Sequence, residues 1–107
     1  MARQLEYVTV ARLEDVPPGS VRAVRAGERW YALANVDVVL HAVDNNCPHN
    51  GGPLSKGRLL GQELECPWHL WRWDVTNGRN CAPGTDWRVS RIPVRVVDGE
   101  IQLPDLG

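Results

Sequence analysis

The hydrophobic residues of this 107-residue chain occur in short runs and not at helical spacing. Each run is rich in β-branched or aromatic side chains and is bounded by Gly, Pro, Asn or Asp, as expected for strands joined by tight turns. Pro17-Pro18-Gly19, Asn77-Gly78 and Asp98-Gly99 supply turns, and residues 12–15 suggest a single helical turn. The pattern therefore predicts an antiparallel all-β fold with eight strands: residues 6–11, 20–25, 29–35, 38–43, 63–66, 71–75, 91–97 and 100–103.

The length predicts one domain over residues 1–107, with no room for a second, nucleotide-binding or catalytic domain. The formal net charge is −1 and the isoelectric point is about 6.3, without a basic stretch, which argues against a nucleic-acid partner. No apolar run suits a bilayer span or a signal peptide, so we expect a soluble cytoplasmic protein without a membrane partner.

Two short segments carry the chemistry. Cys47-Pro48-His49 is followed, after sixteen residues, by Cys66-Pro67-Trp68-His69. Each segment supplies one thiolate and one imidazole among loop-forming residues, a repetition that core packing does not require. The pattern predicts a metal centre bound by Cys47, His49, Cys66 and His69.

Ligand charge determines what such a centre does. A [2Fe-2S] cluster held by two thiolates and two neutral imidazoles is neutral when oxidised, whereas four thiolates leave it doubly negative. An incoming electron therefore meets less repulsion at the mixed site. Potentials run from about −150 to +300 mV for His-ligated centres, against about −400 mV for plant-type all-cysteine ones.

The two segments resemble those of the Rieske iron-sulfur proteins, and most closely the Rieske-type ferredoxins. The resemblance covers nearly the whole chain. It implies a Rieske-like antiparallel β-sandwich or barrel, with a small cluster-binding subdomain at one end formed by loops at about 45–57, 66–71 and 81–84. It also implies that Cys47 and Cys66 bind one iron, and that His49 and His69 bind the other at the exposed tip. The residues that extend the likeness are Gly51-Gly52-Pro53-Leu54, Gly57, Trp73-Asp74, Asn77-Gly78 and Pro83-Gly84.

The implied function is one-electron transfer with one [2Fe-2S] cluster per chain, from a flavin reductase to a terminal oxygenase of the aromatic ring-hydroxylating type. The chain itself is not expected to be an enzyme, because His41 is the only other histidine and a mononuclear iron site needs two histidines and a carboxylate. We expect a monomer that forms brief interfaces through an apolar tip made of Pro48, Leu54, Trp68 and Leu70.

Several side chains are expected to surround the cluster. Gly51, Gly52 and Gly57 would let backbone N–H groups approach the sulfurs, and Cys81 would be a buried filler beside the cluster. Water would be excluded by Pro48, Leu54, Pro67, Trp68 and Leu70. Core packing is expected of Trp30, Tyr31, Trp73 and Trp87.

The resemblance also bears on the potential. High-potential relatives carry hydroxyl groups two and four residues after the second histidine, where this chain has Trp71 and Trp73, and they bridge positions that correspond to Gly52 and Trp68 with a disulfide. The missing hydroxyl donors predict a midpoint of roughly −150 to 0 mV. Leu70 stands where relatives usually have glycine, which either costs backbone freedom or enlarges the docking surface.

Two other interpretations stay open at this point. The chain is also compatible with an electron-transfer or non-catalytic subunit of a larger redox enzyme, similar to the small subunit of assimilatory nitrite reductases. A structural zinc module is the other, since two cysteines and two histidines also suit zinc, although zinc modules usually pair ligands of one kind.

Overall fold

The computed structural model describes residues 6–68, 70–82 and 84–107. Within that part of the chain, antiparallel strands dominate and the only helical elements are single 3₁₀ turns at Leu13–Asp15 and Leu54–Lys56. The nearly all-β class and the helical turn predicted near residue 13 are thus confirmed. The strands are β1 (Tyr7–Arg12), β2 (Val21–Ala26), β3 (Arg29–Val36), β4 (Val39–Asp44), β5 (Arg58–Leu60), β6 (Glu63–Glu65), β7 (Arg72–Asp74), β8 (Arg91–Ile92), β9 (Arg95–Val97) and β10 (Glu100–Pro104).

The strands form three sheets, with the orders β1-β10-β9, β2-β3-β4-β8 and β5-β6-β7. The four-stranded sheet has a core on each face. Leu33 of β3 packs in one core with Ile101 of β10, whereas Ala32 and Ala34 pack in the other with Trp73 of β7. Because both faces of β3 are covered, its apolar residues form an unbroken run and do not alternate with polar ones.

The second of these cores contains both signature cysteines. Cys47 and Cys66 lie in it, and the chain places Leu54 after the first cysteine and Trp73 after the second. The small β5-β6-β7 sheet therefore joins the four-stranded sheet through the same side chains that surround the two thiols. The remaining members of this core are Ala32, Ala34, Val43, Leu64, Val75 and Val89.

The strand predicted at 91–97 is wrong as a single element. It is divided into β8, which pairs with β4, and β9, which pairs with β10. Pro93 lies at the break, where its missing N–H and fixed φ suit a chain that leaves one sheet and enters another. Strand β5 was not predicted, because three residues are too few for a period-2 pattern.

Two hairpins use the same backbone geometry with different residues. The predicted turn at Asp98-Gly99 is confirmed, with φ of 51° and 78°. The turn between β3 and β4 places Asp37 and Val38 at φ of 50° and 66°. Valine is a poor residue for the left-handed region, which is why the sequence did not predict a turn there.

The aromatic residues divide between core and surface. Tyr31 and Trp73 are buried as expected, whereas Trp30 and Trp87 are 52% and 46% exposed. The expectation of core packing is therefore wrong for these two. Trp30 lies at the start of β3, before the part of that strand that the other sheets cover. None of the helical elements in the described residues is long and apolar enough to cross a membrane.

Candidate metal centre

The first signature loop closes on its own cysteine. The Cys47 carbonyl accepts a hydrogen bond from Gly51 N–H at 2.7 Å, and Cys47 N–H donates to the Gly52 carbonyl at 2.8 Å. Gly51 has φ of 78°, a conformation that glycine adopts without steric cost. The loop thus presents His49 from a tight six-residue turn.

The second loop repeats this hydrogen-bond pattern. The Cys66 carbonyl accepts from Leu70 N–H at 3.0 Å, and Cys66 N–H donates to the Trp71 carbonyl at 2.7 Å. Leu70 is the counterpart of Gly51 and has φ of 60°, while its side chain is 63% exposed. Leu70 therefore occupies a backbone conformation that disfavours side chains, as expected, and it adds to the exposed apolar surface, while a docking role stays a prediction.

The structure brings the two loops together and buries both thiols. Cys47 and Cys66 are 2% and 0% exposed, and neither forms a disulfide. His49 is half-buried, and the fourth expected ligand, His69, lies outside the described residues. Among the residues that are described, no three His, Cys, Asp or Glu side chains stand close enough together to hold a single metal ion.

The loops meet at Gly52 and Trp68. A Cβ built on Gly52 would lie 2.8 Å from Cys66 Sγ and 3.1 Å from Trp68 Cδ2. Glycine at position 52 therefore leaves space beside a ligand-type sulfur that any side chain would fill. The two positions that resemblance associated with a disulfide in other relatives are neighbours here without a bridge.

The other two glycines have different roles from the one expected. Gly51 forms the turn described above, and a Cβ on Gly57 would overlap the Glu65 carbonyl oxygen. In this structure Gly57 N–H donates to the Leu54 carbonyl at 3.0 Å. The prediction that Gly57 opens the sulfurs to backbone donors is wrong, because this glycine allows β6 to pack against the first loop.

Two tryptophans, Trp71 and Trp87, pack around His49. The His49 imidazole is stacked on the Trp71 indole, with ring centroids 3.8 Å apart and planes 7° from parallel. Trp87 is tilted against both rings, 5.9 Å from His49 and 5.4 Å from Trp71. Sequence reasoning missed this cluster, since its members come together only through loop packing.

The exposed apolar tip differs in composition from the expected one. Leu54 is fully buried and belongs to the core, whereas Trp68 and Leu70 are 58% and 63% exposed. Pro48 and Pro67 are also exposed. Trp87 joins them at 46% exposure, so the tip consists of Pro48, Pro67, Trp68, Leu70 and Trp87. Only Leu54, of the five residues expected to exclude water, is buried.

Cys81 is exposed, so the prediction of a buried filler is wrong. Its N–H donates to the Arg72 carbonyl at 3.0 Å, and alternation along this extended segment turns Asn80 inward and Cys81 outward. Cys81 lines a depression of about 340 Å³ beside the second loop, with Leu70 and Trp71 among the other lining residues. Desolvation, followed by the charges of Glu63 and Asp74, raises the pKa of its thiol.

A buried carboxylate adjoins the second cysteine. Glu65 is 5% exposed, and its side chain accepts from Arg58 at 3.1 Å and from Arg72 at 3.3 Å. These arginines lie directly opposite Glu65 on the flanking strands β5 and β7. This pair of ion pairs was not predicted from the sequence, because Arg58 lies in β5, which was not predicted either.

His41 lies apart from the two loops, in β4. It is half-buried, and Arg91 Nη2 of the adjacent strand β8 lies 3.5 Å from its Nδ1. Burial lowers the pKa of His41, and the Arg91 charge lowers it further. This histidine is consistent with a structural residue of the sheet.

The buried indole N–H of Trp73 indicates that this core can accommodate a group with hydrogen-bond acceptors. Its side chain is 0% exposed, and its indole N–H has no hydrogen-bond partner in the part of the chain that the structure describes. Buried donors are rarely left unpaired in native proteins. Two buried thiols, the space beside Gly52 and this N–H together fit a sulfur-containing inorganic cluster.

Comparisons with known proteins agree with this arrangement. The model of the Rieske [2Fe-2S] domain matches residues 6–90. A ferredoxin component of the naphthalene 1,2-dioxygenase/salicylate 5-hydroxylase systems of Ralstonia sp is 35% identical over 98 residues, which cover 91% of this chain and 93% of the relative.

Solved structures give the same result. The ferredoxin of carbazole 1,9a-dioxygenase from Nocardioides aromaticivorans IC177 has a TM-score of 0.83 at 28% identity, over 91% of this chain and 95% of that chain. A chain in a complex of reduced oxygenase and oxidized ferredoxin in carbazole 1,9a-dioxygenase has a TM-score of 0.84 at 28% identity, over 92% of this chain and 93% of that one.

Proposed function

Because this chain belongs to the Rieske [2Fe-2S] domain family, we propose that it is the one-electron carrier that links a flavin reductase to a terminal oxygenase of the aromatic ring-hydroxylating type. A [2Fe-2S] cluster supplies the one-electron chemistry, one cluster per chain. The observation that carries the proposal is the pair of equivalent loops that buries Cys47 and Cys66 in one core. Relatives named as ferredoxin components of dioxygenase systems, matched over almost their full length, support a carrier over a zinc module.

The ligand set that we propose is Cys47 and Cys66 for one iron and His49 and His69 for the other. Burial of both thiols supports Cys47 and Cys66. His49 is supported by its position on the first loop, where its ring stacks on Trp71 beside the second loop. His69 is assigned from the spacing of the sequence alone. The space beside Cys66 Sγ at Gly52 and the unpaired Trp73 N–H are consistent with a cluster at this place.

The chain's own residues then have defined tasks. Leu54, Trp73 and the other members of this core keep water from the sulfurs. Trp71 fixes the plane of the His49 ring, while the half-buried position of His49 leaves it close to solvent. Electron exchange with a partner therefore takes place on the histidine side.

The exposed tip is the docking surface in this proposal. Trp68, Leu70 and Trp87 expose apolar area around the two loops, as expected for small and replaceable interfaces of the redox-encounter type. We further propose that the carrier acts as a monomer in the cytoplasm, where thiols stay reduced. None of Cys47, Cys66 and Cys81 forms a disulfide, which fits a reducing compartment.

The decisive experiment combines EPR of the dithionite-reduced protein with iron and sulfide assays. We expect two irons and two sulfides per chain and an average g value below that of an all-cysteine cluster. Stoichiometric zinc without acid-labile sulfide would overturn the proposal. Turnover of an oxygenase and a flavin reductase that requires this protein tests the carrier role, and gel filtration tests the monomer.

The ligand assignment has its own test. His69→Cys replaces the proposed imidazole ligand by a thiolate and should either abolish the cluster or lower its potential strongly. His41→Cys is the matched control, because His41 lies in β4 away from both loops. An unchanged potential in the position-69 variant would remove that residue from the ligand set.

A further inference from the structure

The unpaired N–H of Trp73 lies in a core that offers few acceptors. Of the side chains in this core, Ala, Val and Leu have no polar atom, and the neighbouring Trp71 indole is a donor. Among the described residues of this core, the side-chain atoms that can accept a hydrogen bond are the sulfurs of Cys47 and Cys66, and Trp73 Nε1 is bonded to neither. No atom of the described residues therefore accepts this N–H.

The position of Trp73 relates it to the proposed cluster. Trp71 directly precedes β7 and Trp73 lies at its centre, and their ring centroids are 6.2 Å apart. The first of these rings is stacked on His49. Trp73 thus belongs to the core that contains both cysteines, and it adjoins the histidine-bearing loop through Trp71.

We propose that the Trp73 indole N–H donates a hydrogen bond to the sulfur shell of the bound cluster, an inference that rests on the proposed function. Donors to cluster sulfurs stabilise the additional negative charge of the reduced state and raise the reduction potential. Positions 71 and 73, which the family resemblance associated with hydroxyl donors in high-potential relatives, are both tryptophan in this chain. Trp73 supplies an indole donor in their place, and it sets the potential of this carrier above that of an equivalent with phenylalanine at position 73.

The test compares midpoint potentials of the cluster-loaded protein and of Trp73→Phe, which keeps an aromatic ring and removes the N–H. We expect the equilibrium constant for reduction to fall about tenfold, a decrease of about 59 mV for one electron. Tyr31→Phe is the matched control. The Tyr31 hydroxyl is also buried without a hydrogen-bond partner in the described residues, but it lies in the other core, away from the cysteines, so its removal should leave the potential unchanged.

A second variant distinguishes the loss of the N–H from the loss of packing in Trp73→Phe. Site-specific incorporation of benzothienylalanine at position 73 keeps the bicyclic shape and replaces the N–H by sulfur. We expect the same decrease in potential. In addition, ENDOR of the reduced wild-type protein should detect an exchangeable proton coupled to the cluster that is missing in both variants.

The possible outcomes are distinct. An intact mixed-ligand EPR signal with equal midpoint potentials in the wild type and both variants would overturn this inference alone. A wild-type protein without that signal would overturn the proposed function and this inference with it. A lower potential in both Trp73 variants, with none in Tyr31→Phe, supports the donor.

Discussion

The His49 imidazole lies parallel to the Trp71 indole, with 3.8 Å between the ring centroids. Parallel rings at this distance exclude water from one face of the imidazole and restrict its rotation. Trp71 follows the second cysteine and His49 follows the first, so the contact also joins the two loops. The stacked pair therefore holds together two halves of a site that are sixteen residues apart in sequence.

Replacing Trp71 by alanine should loosen the cluster. The variant loses the stacked ring and exposes His49, so we expect cluster release to a chelator to become about tenfold faster, in line with the loss of an aromatic pair and its buried area. Trp71→Phe, which can still stack, should release its cluster at nearly the wild-type rate. The measurement is the decay of visible absorbance in excess EDTA. Equal rates in all three proteins would contradict a positioning role for this ring.

Gly57→Ala should damage the fold. The new Cβ would overlap the Glu65 carbonyl oxygen, and Glu65 directly precedes Cys66, so β6 has to move away from the first loop. We expect the free energy of unfolding to decrease by about 3 kcal/mol or more, and the variant to incorporate the cluster poorly.

Gly61→Ala is the control for that variant. Gly61 has φ of 65° but no atom within 4 Å of a built Cβ, so only backbone strain of about 1–2 kcal/mol is expected. Urea unfolding curves distinguish the two variants. If Gly57→Ala lowers the free energy of unfolding no more than Gly61→Ala does, the close contact with Glu65 is absent in solution.

The turn between β3 and β4 offers a stabilising change. Val38 has φ of 66° and its side chain is 73% exposed, so Val38→Gly removes strain and loses little packing. Glycine gives the unfolded chain more freedom, but the strain of a β-branched residue at this φ is larger, so we expect a net gain in stability of about 1 kcal/mol and a rise of roughly 4 °C in the melting temperature. The Asp98-Gly99 turn has the same backbone geometry, so Gly99→Val should produce a loss of similar size. A lower melting temperature for Val38→Gly would refute the argument from strain.

The sequence was sufficient for the class of fold, which depends on short-range signals, while the four candidate ligands remain a prediction from the sequence. The strand predicted at residues 71–75 contains β7, and the repeated Cys–His spacing identified the two loops. The contact between His49 and Trp71 could not be predicted, since it depends on how Gly52 and Trp68 bring the loops together. Exposure of Cys81 was missed for a related reason: nothing local showed that Asn80 takes the inward position.

Leu70→Gly should separate stability from docking. Glycine relieves the strain at φ of 60°, but it also gives the unfolded chain more freedom, so the stability should change by less than about 1 kcal/mol. Loss of the exposed side chain should raise the KM of the oxygenase for this protein by about three- to tenfold, because less apolar area is buried on docking. Leu106→Ala removes another exposed leucine after β10 and should leave the KM unchanged. An unaltered KM in Leu70→Gly would exclude this side chain from the interface.

His41 should make the stability of the protein depend on pH. Burial and then the Arg91 charge lower its pKa in the folded chain below the ordinary value of 6.5, so the unfolded chain binds the proton more tightly. Neutral His41 makes its full contribution to stability at pH values well above 6.5. This contribution decreases as the pH falls through 6.5, until the folded-state pKa is passed. We expect the melting temperature to fall between about pH 7.5 and 5.5, and to fall less in His41→Gln. Arg91→Gln should weaken this pH dependence in part. Identical plots of melting temperature against pH for the wild type and His41→Gln would show that His41 is not the source of the dependence.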